Sequence, residues 1–465
     1  MLKQNGTLAD TLNNAPLSPF HLRVVGVVGM GFFTDAYDLF IMTPALALLK
    51  PELHPSSTEM QFLSSMALLA SFVGAIIFGR IADRVGRRAI YGWQALALAV
   101  LALACAFAPN MLTLIICRGL LGFVIGGNYP VTAVLVSEYA NRKDRGRLVG
   151  MAFSMQALAL VAGPLITLVV VALHMPSDLA WRLMLGLGAL PALCAFFLRR
   201  SLPESPRFVS RVLGDTPTAA AQLQAYSKGL LTAPAVSEGL RTRARLSRYI
   251  LPLIGTAGAW FLFDYAYYGN TISTPLIIQS VAPGASLLTS TYWTLMIFLV
   301  AAVPGYVMAF NTVDRIGRKR LQILGFLCMG LAFLAIGVLP GITQTVVPFL
   351  LVYSLSYFFA EFGPNTTTFM LAAELFPVNQ RATSHGIAAG IAKLGAFISV
   401  FLFQFIQQSS LGFRGALDIT CVFSFAGCLL TLLLREPARK SLEEVSGEDM
   451  QQVSPQSSTP IVSIP

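Results

Sequence analysis

The sequence predicts an all-α membrane protein of twelve transmembrane helices, arranged as two pseudo-symmetric six-helix bundles. Three observations carry that reading: the apolarity of the chain, the number of its long apolar runs, and a charged pattern that occurs once in each half. Of 465 residues, 55% are hydrophobic and 12% charged, and the mean hydropathy is +0.69. A water-soluble chain of this length covers more of its surface with charge. Lipid is the solvent these residues fit.

A helix needs about 20 mostly apolar residues to cross the hydrocarbon. Such runs fall near 24–49, 60–82, 89–108, 111–137, 147–173 and 181–199, then near 249–279, 288–312, 321–340, 344–374, 383–407 and 412–434. The expected organisation is an N-terminal segment 1–20, a first bundle 21–199, a central loop 200–248, a second bundle 249–436 and a disordered tail 437–465. The central loop is expected to form short amphipathic helices. The tail is rich in Ser, Gln, Glu and Pro, a composition that does not build a core. The first run is too long for a cleaved signal peptide.

Basic residues follow the second run (Arg80, Arg84, Arg87, Arg88), the fourth (Arg142, Lys143, Arg145, Arg147) and the eighth (Arg315, Arg318, Lys319, Arg320), and fill the central stretch from Arg199 to Arg248. The alternate loops carry little charge. The positive-inside rule then puts both termini and the central loop in the cytoplasm, with the chain in the plasma (inner) membrane. A net charge of +10 spread through short loops is not the clustered face that nucleic acid requires.

No segment between runs is large enough for a catalytic domain, and there is no P-loop, H-E-x-x-H or nucleophile elbow. Neither enzyme activity nor a cofactor is expected. The six cysteines lie almost entirely inside apolar runs without metal or disulfide spacing, and the four histidines are scattered. With no ATP-binding loop, any solute movement must draw on a gradient. The chain is expected to act as a monomer in the bilayer.

Two patterns recur at nearly one offset. Asp83-Arg84-Val85-Gly86-Arg87-Arg88 is echoed by Asp314-Arg315-Ile316-Gly317-Arg318-Lys319, 231 residues later, and the pair Glu138/Arg145 by Glu374/Arg381, 236 later. A parallel repeat of two six-helix halves accounts for both. With Pro203-Glu204-Ser205-Pro206-Arg207-Phe208, these motifs resemble the major facilitator superfamily. The resemblance implies a rocker-switch transporter with its substrate site between the halves. It also implies that Asp83, Arg84, Arg87, Glu138, Arg145, Asp314, Arg315, Arg318, Glu374 and Arg381 latch the cytoplasmic side.

A charge within the hydrocarbon costs at least ~2.5 kcal/mol, so each one calls for a reason. Asp35, Asp38, Arg118, Asp264, Glu361 and Lys393 all fall inside apolar runs. Trp260, Asp264 and Tyr268 are spaced i, i+4, i+8 and share one helix face. Tyr129, Gln156, Trp260, Tyr268 and Asn365 offer hydrogen-bond donors, and Asp264 can accept a proton from an acid hydroxyl. That set suits a small protonated oxyanion, although composition does not separate it from an organic-acid or sugar site.

The segments Gly29-Met30-Gly31-Phe32-Phe33-Thr34-Asp35-Ala36-Tyr37-Asp38, Gly126-Gly127-Asn128-Tyr129-Pro130, Trp260-Phe261-Leu262-Phe263-Asp264, Phe362-Gly363-Pro364-Asn365 and Gly390-Ile391-Ala392-Lys393 resemble the phosphate:proton symporters of plants and fungi. The resemblance implies proton-coupled uptake of inorganic phosphate. Tyr129, Gln156, Trp260, Asp264, Tyr268 and Asn365 would bind phosphate. Asp35 and Asp38 would carry protons, with Glu138 counted among the coupling acids, and Arg118 and Lys393 match charged positions of the pattern. Two departures stand out: Asn128 where the family has an acid, and Glu361 where it has a neutral residue. Glu361 is expected either to replace the missing carboxylate or to pair with Lys393. The other readings are transport of another small organic anion or a sugar, and a nutrient receptor that binds without transport.

Overall fold

The computed structural model describes residues 7–234 and 246–448. Every regular element among them is helical. Eleven helices are long and apolar enough to cross a membrane: Pro19–Leu53, Ser57–Val85, Arg87–Ala106, Met111–Tyr139, Arg145–Ala172, Ser177–Arg199, Leu287–Ile316, Arg318–Val338, Val346–Glu374, Arg381–Gln408 and Gly412–Thr431. The twelfth, Ile250–Val281, is seventh in chain order and 32 residues long. It falls outside that set because its middle carries Trp260, Asp264, Tyr265, Tyr267, Tyr268, Asn270 and Thr271, all buried. A helix polar along a buried face lines an interior path rather than lipid.

The outer faces carry exposed Val100, Ile116, Leu165, Leu331, Leu351 and Val422, the complement expected where lipid replaces water. The bundle interior uses small residues so that backbones approach closely. Gly122 and Gly126 of the fourth span lie against the backbone of Ala67 and Ser71 on the second, and Ser71 Oγ donates to the Gly122 carbonyl at 2.7 Å. Between the halves, the second span packs on the eleventh and the fifth on the eighth, the pairing a parallel repeat produces.

Two expectations change, and the N-terminal segment gains a helix. The first span is longer than 24–49. It begins at Pro19, whose missing N–H suits a helix start, and bends at Ile41 before running on to Leu53. Residues 8–13 of the N-terminal segment are a helix closed by a Thr7/Asp10 capping box, with Leu8 and Leu12 buried. The tail is not disordered throughout: Leu442–Ser446 is a helix with Glu443 buried, and the residues from 449 lie outside those described. In the central loop, Pro206–Arg211 and Thr216–Tyr226 are helical, as expected, and 235–245 lie outside the described residues.

Candidate substrate site and inter-bundle gate

The Trp260, Asp264 and Tyr268 stripe meets Lys393 of the eleventh span. Lys393 Nζ donates to Asp264 Oδ2 at 2.9 Å and to Tyr268 Oη at 2.8 Å. The same ammonium lies 4.2 Å from the Tyr268 ring centre and 4.6 Å from that of Tyr129, on the fourth span in the other half. Phe40 of the first span stacks on Tyr268 at 5.6 Å. Asp264 is therefore not a bare carboxylate among donors. Its charge is matched by Lys393, and the buried pair presents a cation to the seam between the bundles.

Lys393 so engaged does not pair with Glu361. Glu361 opens a π-turn, Glu361–Asn365, inside the tenth span, where Pro364 removes a helix donor. Its Oε1 accepts from Tyr267 Oη at 2.7 Å and its Oε2 from Asn365 Nδ2 at 2.5 Å. Asn365 Nδ2 also reaches Tyr306 Oη at 2.8 Å. Glu361 is wholly buried, and among the described residues no cation pairs with it.

In the first half, Asn128 Nδ2 donates to Asp35 Oδ2 at 2.6 Å while its Oδ1 accepts from Arg199 Nη2 at 2.9 Å. Arg199 ends the sixth apolar run like a loop anchor, yet it is buried, and its guanidinium lies 3.9 Å over the Tyr91 ring. Gly31 makes the room: a side chain there would strike Arg199 and Asn128. Arg118 reaches the Asp38 backbone carbonyl at 2.8 Å. Asp35 Oδ1, Asp38 Oδ2 and Gln156 Nε2 are buried without a hydrogen bond among the described residues.

Toward the charged helix ends, aromatic side chains from both halves close the path. Phe32 meets Phe369 at 5.1 Å, Phe153 stacks on Phe369 at 4.4 Å, and Tyr129 faces Trp260 at 6.3 Å. Beyond them the repeated motifs interlock. Glu138 pairs with Arg87 at 3.3 Å and Arg381 at 3.0 Å; Glu374 pairs with Arg318 and Arg145, both at 3.2 Å. Asp83 accepts from the Ala382 and Thr383 backbone N–H groups, and Asp314 from those of Gly146 and Arg147. Each motif thus caps the first turn of a helix in the opposite half. Arg84 and Arg315 are exposed, and among the described residues neither joins these pairs.

A third repeat escaped the sequence reading. Glu204 accepts from the Arg88 backbone N–H at 2.9 Å, and Glu436, 232 residues later, accepts from those of Arg318 and Lys319 at 2.9 Å. The signal was present as Glu204-Ser205-Pro206-Arg207 against Glu436-Pro437-Ala438-Arg439. The tail continues as a strap: Glu443 accepts from Arg207 Nε at 2.9 Å and Asn13 Nδ2 at 3.1 Å, and Glu448 from Arg211 Nη1 at 2.8 Å and the Val378 N–H at 2.5 Å. It ties the first half to the second.

The family model for sugar (and other) transporters matches residues 24–447. The chain belongs to this family. Among curated relatives, the inorganic phosphate transporter 1-11 of Oryza sativa subsp. japonica is 32% identical over 96% of this chain and 91% of its own length. The low affinity inorganic phosphate transporter 3 of Petunia hybrida is 31% identical over 97% of this chain and 96% of its own. Among solved structures, the major facilitator proton:xylose symporter XylE bound to 6-bromo-6-deoxy-D-glucose superposes with a TM-score of 0.77 at 20% identity, covering 92% of this chain and 99% of that one. The fold is that of a major facilitator, and the protein is a membrane transporter rather than an enzyme.

Proposed function

We propose that this transporter takes up inorganic phosphate together with protons, by alternating access across the plasma (inner) membrane. The observation that carries the reading is the buried Lys393–Asp264 pair facing Tyr129 across the seam between the halves. An ammonium offers charge to a small anion, while a neutral sugar has no use for it. Curated relatives named as inorganic phosphate transporters align over 96% of the chain, which supports the same substrate.

Phosphate would be held by Tyr129, Gln156, Trp260, Tyr268 and Asn365, with Lys393 supplying charge and Asp264 accepting from a protonated phosphate oxygen. Sulfate lacks that hydroxyl at neutral pH and would be disfavoured. Protons would enter through Asp35 and Asp38 and engage Glu361 in the second half, while Glu138 serves the gate. The basic loops support a cytoplasmic position for both termini and the gate. The closed gate then corresponds to a carrier shut on its inner side, working as a monomer.

The test is uptake of labelled phosphate by proteoliposomes with and without an inward proton gradient. Uptake that is stimulated by the gradient and competed by arsenate but not by sulfate is expected. Competition by carboxylates instead of arsenate would make the substrate an organic anion. Binding without accumulation would make the protein a receptor.

A further inference from the structure

Glu361 stands out within the second half because all its partners are neutral donors. Tyr267 comes from the seventh span and Asn365 from the next turn of its own helix, and Asn365 also donates to the Tyr306 hydroxyl of the eighth span. Tyr268 and Tyr357 are the other titratable neighbours that feel its charge. From the ninth span it is Gly325 that packs against this turn, at Gly363 and Pro364. Among the described residues no Lys, Arg, His, Asp or second Glu pairs with it. An ionised carboxylate only accepts hydrogen bonds, so this shell fits the ionised acid. In that state Asn365 must give its NH2 to Glu361 and Tyr306, which leaves its carbonyl oxygen as the end that remains.

We propose that Glu361 is a titratable competitor for the Asn365 amide, so that one proton on Glu361 reverses the amide and turns an acceptor into a donor for the anionic substrate. The proposal rests on the reading that Asn365 contacts phosphate. A proton taken from the aqueous path makes Glu361 a carboxylic acid with one O–H. That O–H donates to Asn365 Oδ1, the Tyr306 hydroxyl turns to donate to the same oxygen, and the released NH2 replaces the carbonyl at the far end. No charge other than the proton moves. Binding an anion and binding the proton then favour each other by linkage, each strengthening the other by the same factor. The π-turn supports the exchange, since such turns hold side chains four apart beside a backbone already freed from regular helix bonding.

The test is phosphate binding to the purified transporter as a function of pH, comparing wild type with Glu361→Gln, whose amide mimics the protonated acid. Phosphate's own titration contributes equally to both. Wild type should lose affinity about tenfold per pH unit more steeply than the variant once Glu361 ionises; equal slopes would overturn the proposal. Glu361→Asn serves as a second neutral variant where the first folds poorly. Infrared difference spectra give a separate readout. On phosphate addition, wild type should gain a protonated-carboxyl band that is missing in Glu361→Gln. Phosphate binding without that band refutes the competitor role, whereas failure of wild type to bind phosphate at any pH refutes the substrate assignment on which it rests.

Discussion

Both ends of the Asn128 amide are in use, one on Asp35 and the other on Arg199. An aspartate there would pair directly with Arg199 but set two acids face to face, and such acids share a proton. Asn128→Asp is therefore expected to add a titrating step to the pH profile of phosphate uptake; an unchanged profile counts against the bridge. The Lys393–Asp264 pair makes a second prediction. Lys393→Ala leaves a buried carboxylate unpaired, a loss of about 3–5 kcal/mol, read as a lowered thermal midpoint and abolished uptake. Adding Asp264→Ala should restore the midpoint without restoring uptake. At this scale the sequence was half legible. Trp260, Asp264 and Tyr268 declare a common face by spacing alone. Lys393 sits 129 residues from Asp264, and no local pattern joins them. Arg199 misled because a basic residue ending an apolar run resembles a loop anchor, until the fold turns it inward.

The spans themselves were legible because lipid imposes length and apolarity on each separately. Their contacts were not, since they depend on which small residues face which backbone. The second and fourth spans meet so closely at Gly122 that a side chain there strikes the backbone of Ala67. Gly122→Leu is expected to prevent a stable fold, seen as loss of a monodisperse species in detergent, while Gly92→Leu, with open space around it, should be tolerated. The tail helix Leu442–Ser446 was invisible for another reason: its anchor, Arg207, lies 236 residues away. Burial by itself would raise the Glu443 carboxyl, but Arg207 and Arg211 beside it, with Asn13, hold it below the usual carboxylate range. A carboxyl depressed in the folded state stabilises above its unfolded value of about 4.3, and that stability is lost as pH falls through the folded value. Hydrogen exchange in the tail helix should therefore stay slow from about pH 8 down to pH 5, and Glu443→Gln should speed it throughout.

Across the whole molecule, the repeat has become a two-fold lock. Glu138 holds Arg87 and Arg381, and Glu374 holds Arg318 and Arg145, so each half contributes one acid and receives one foreign arginine. Glu138→Ala and Glu374→Ala should open the gate by similar amounts. A loss of about 3–5 kcal/mol corresponds to a population shift of roughly 100-fold or more, measurable as spin-label distances between the bundles. Strongly unequal effects would mean that the two latches are not equivalent.

The polar seventh helix has a consequence for how the chain is made. Ile250–Val281 carries Asp264 and a row of tyrosines, so on leaving the ribosome it has little reason of its own to enter lipid. The lysine that neutralises its carboxylate arrives only 129 residues later, in the eleventh span, after three further spans have been synthesised. Its insertion must wait for them or be sheltered meanwhile. The property that makes this helix useful in the finished carrier is a burden while the chain is being made.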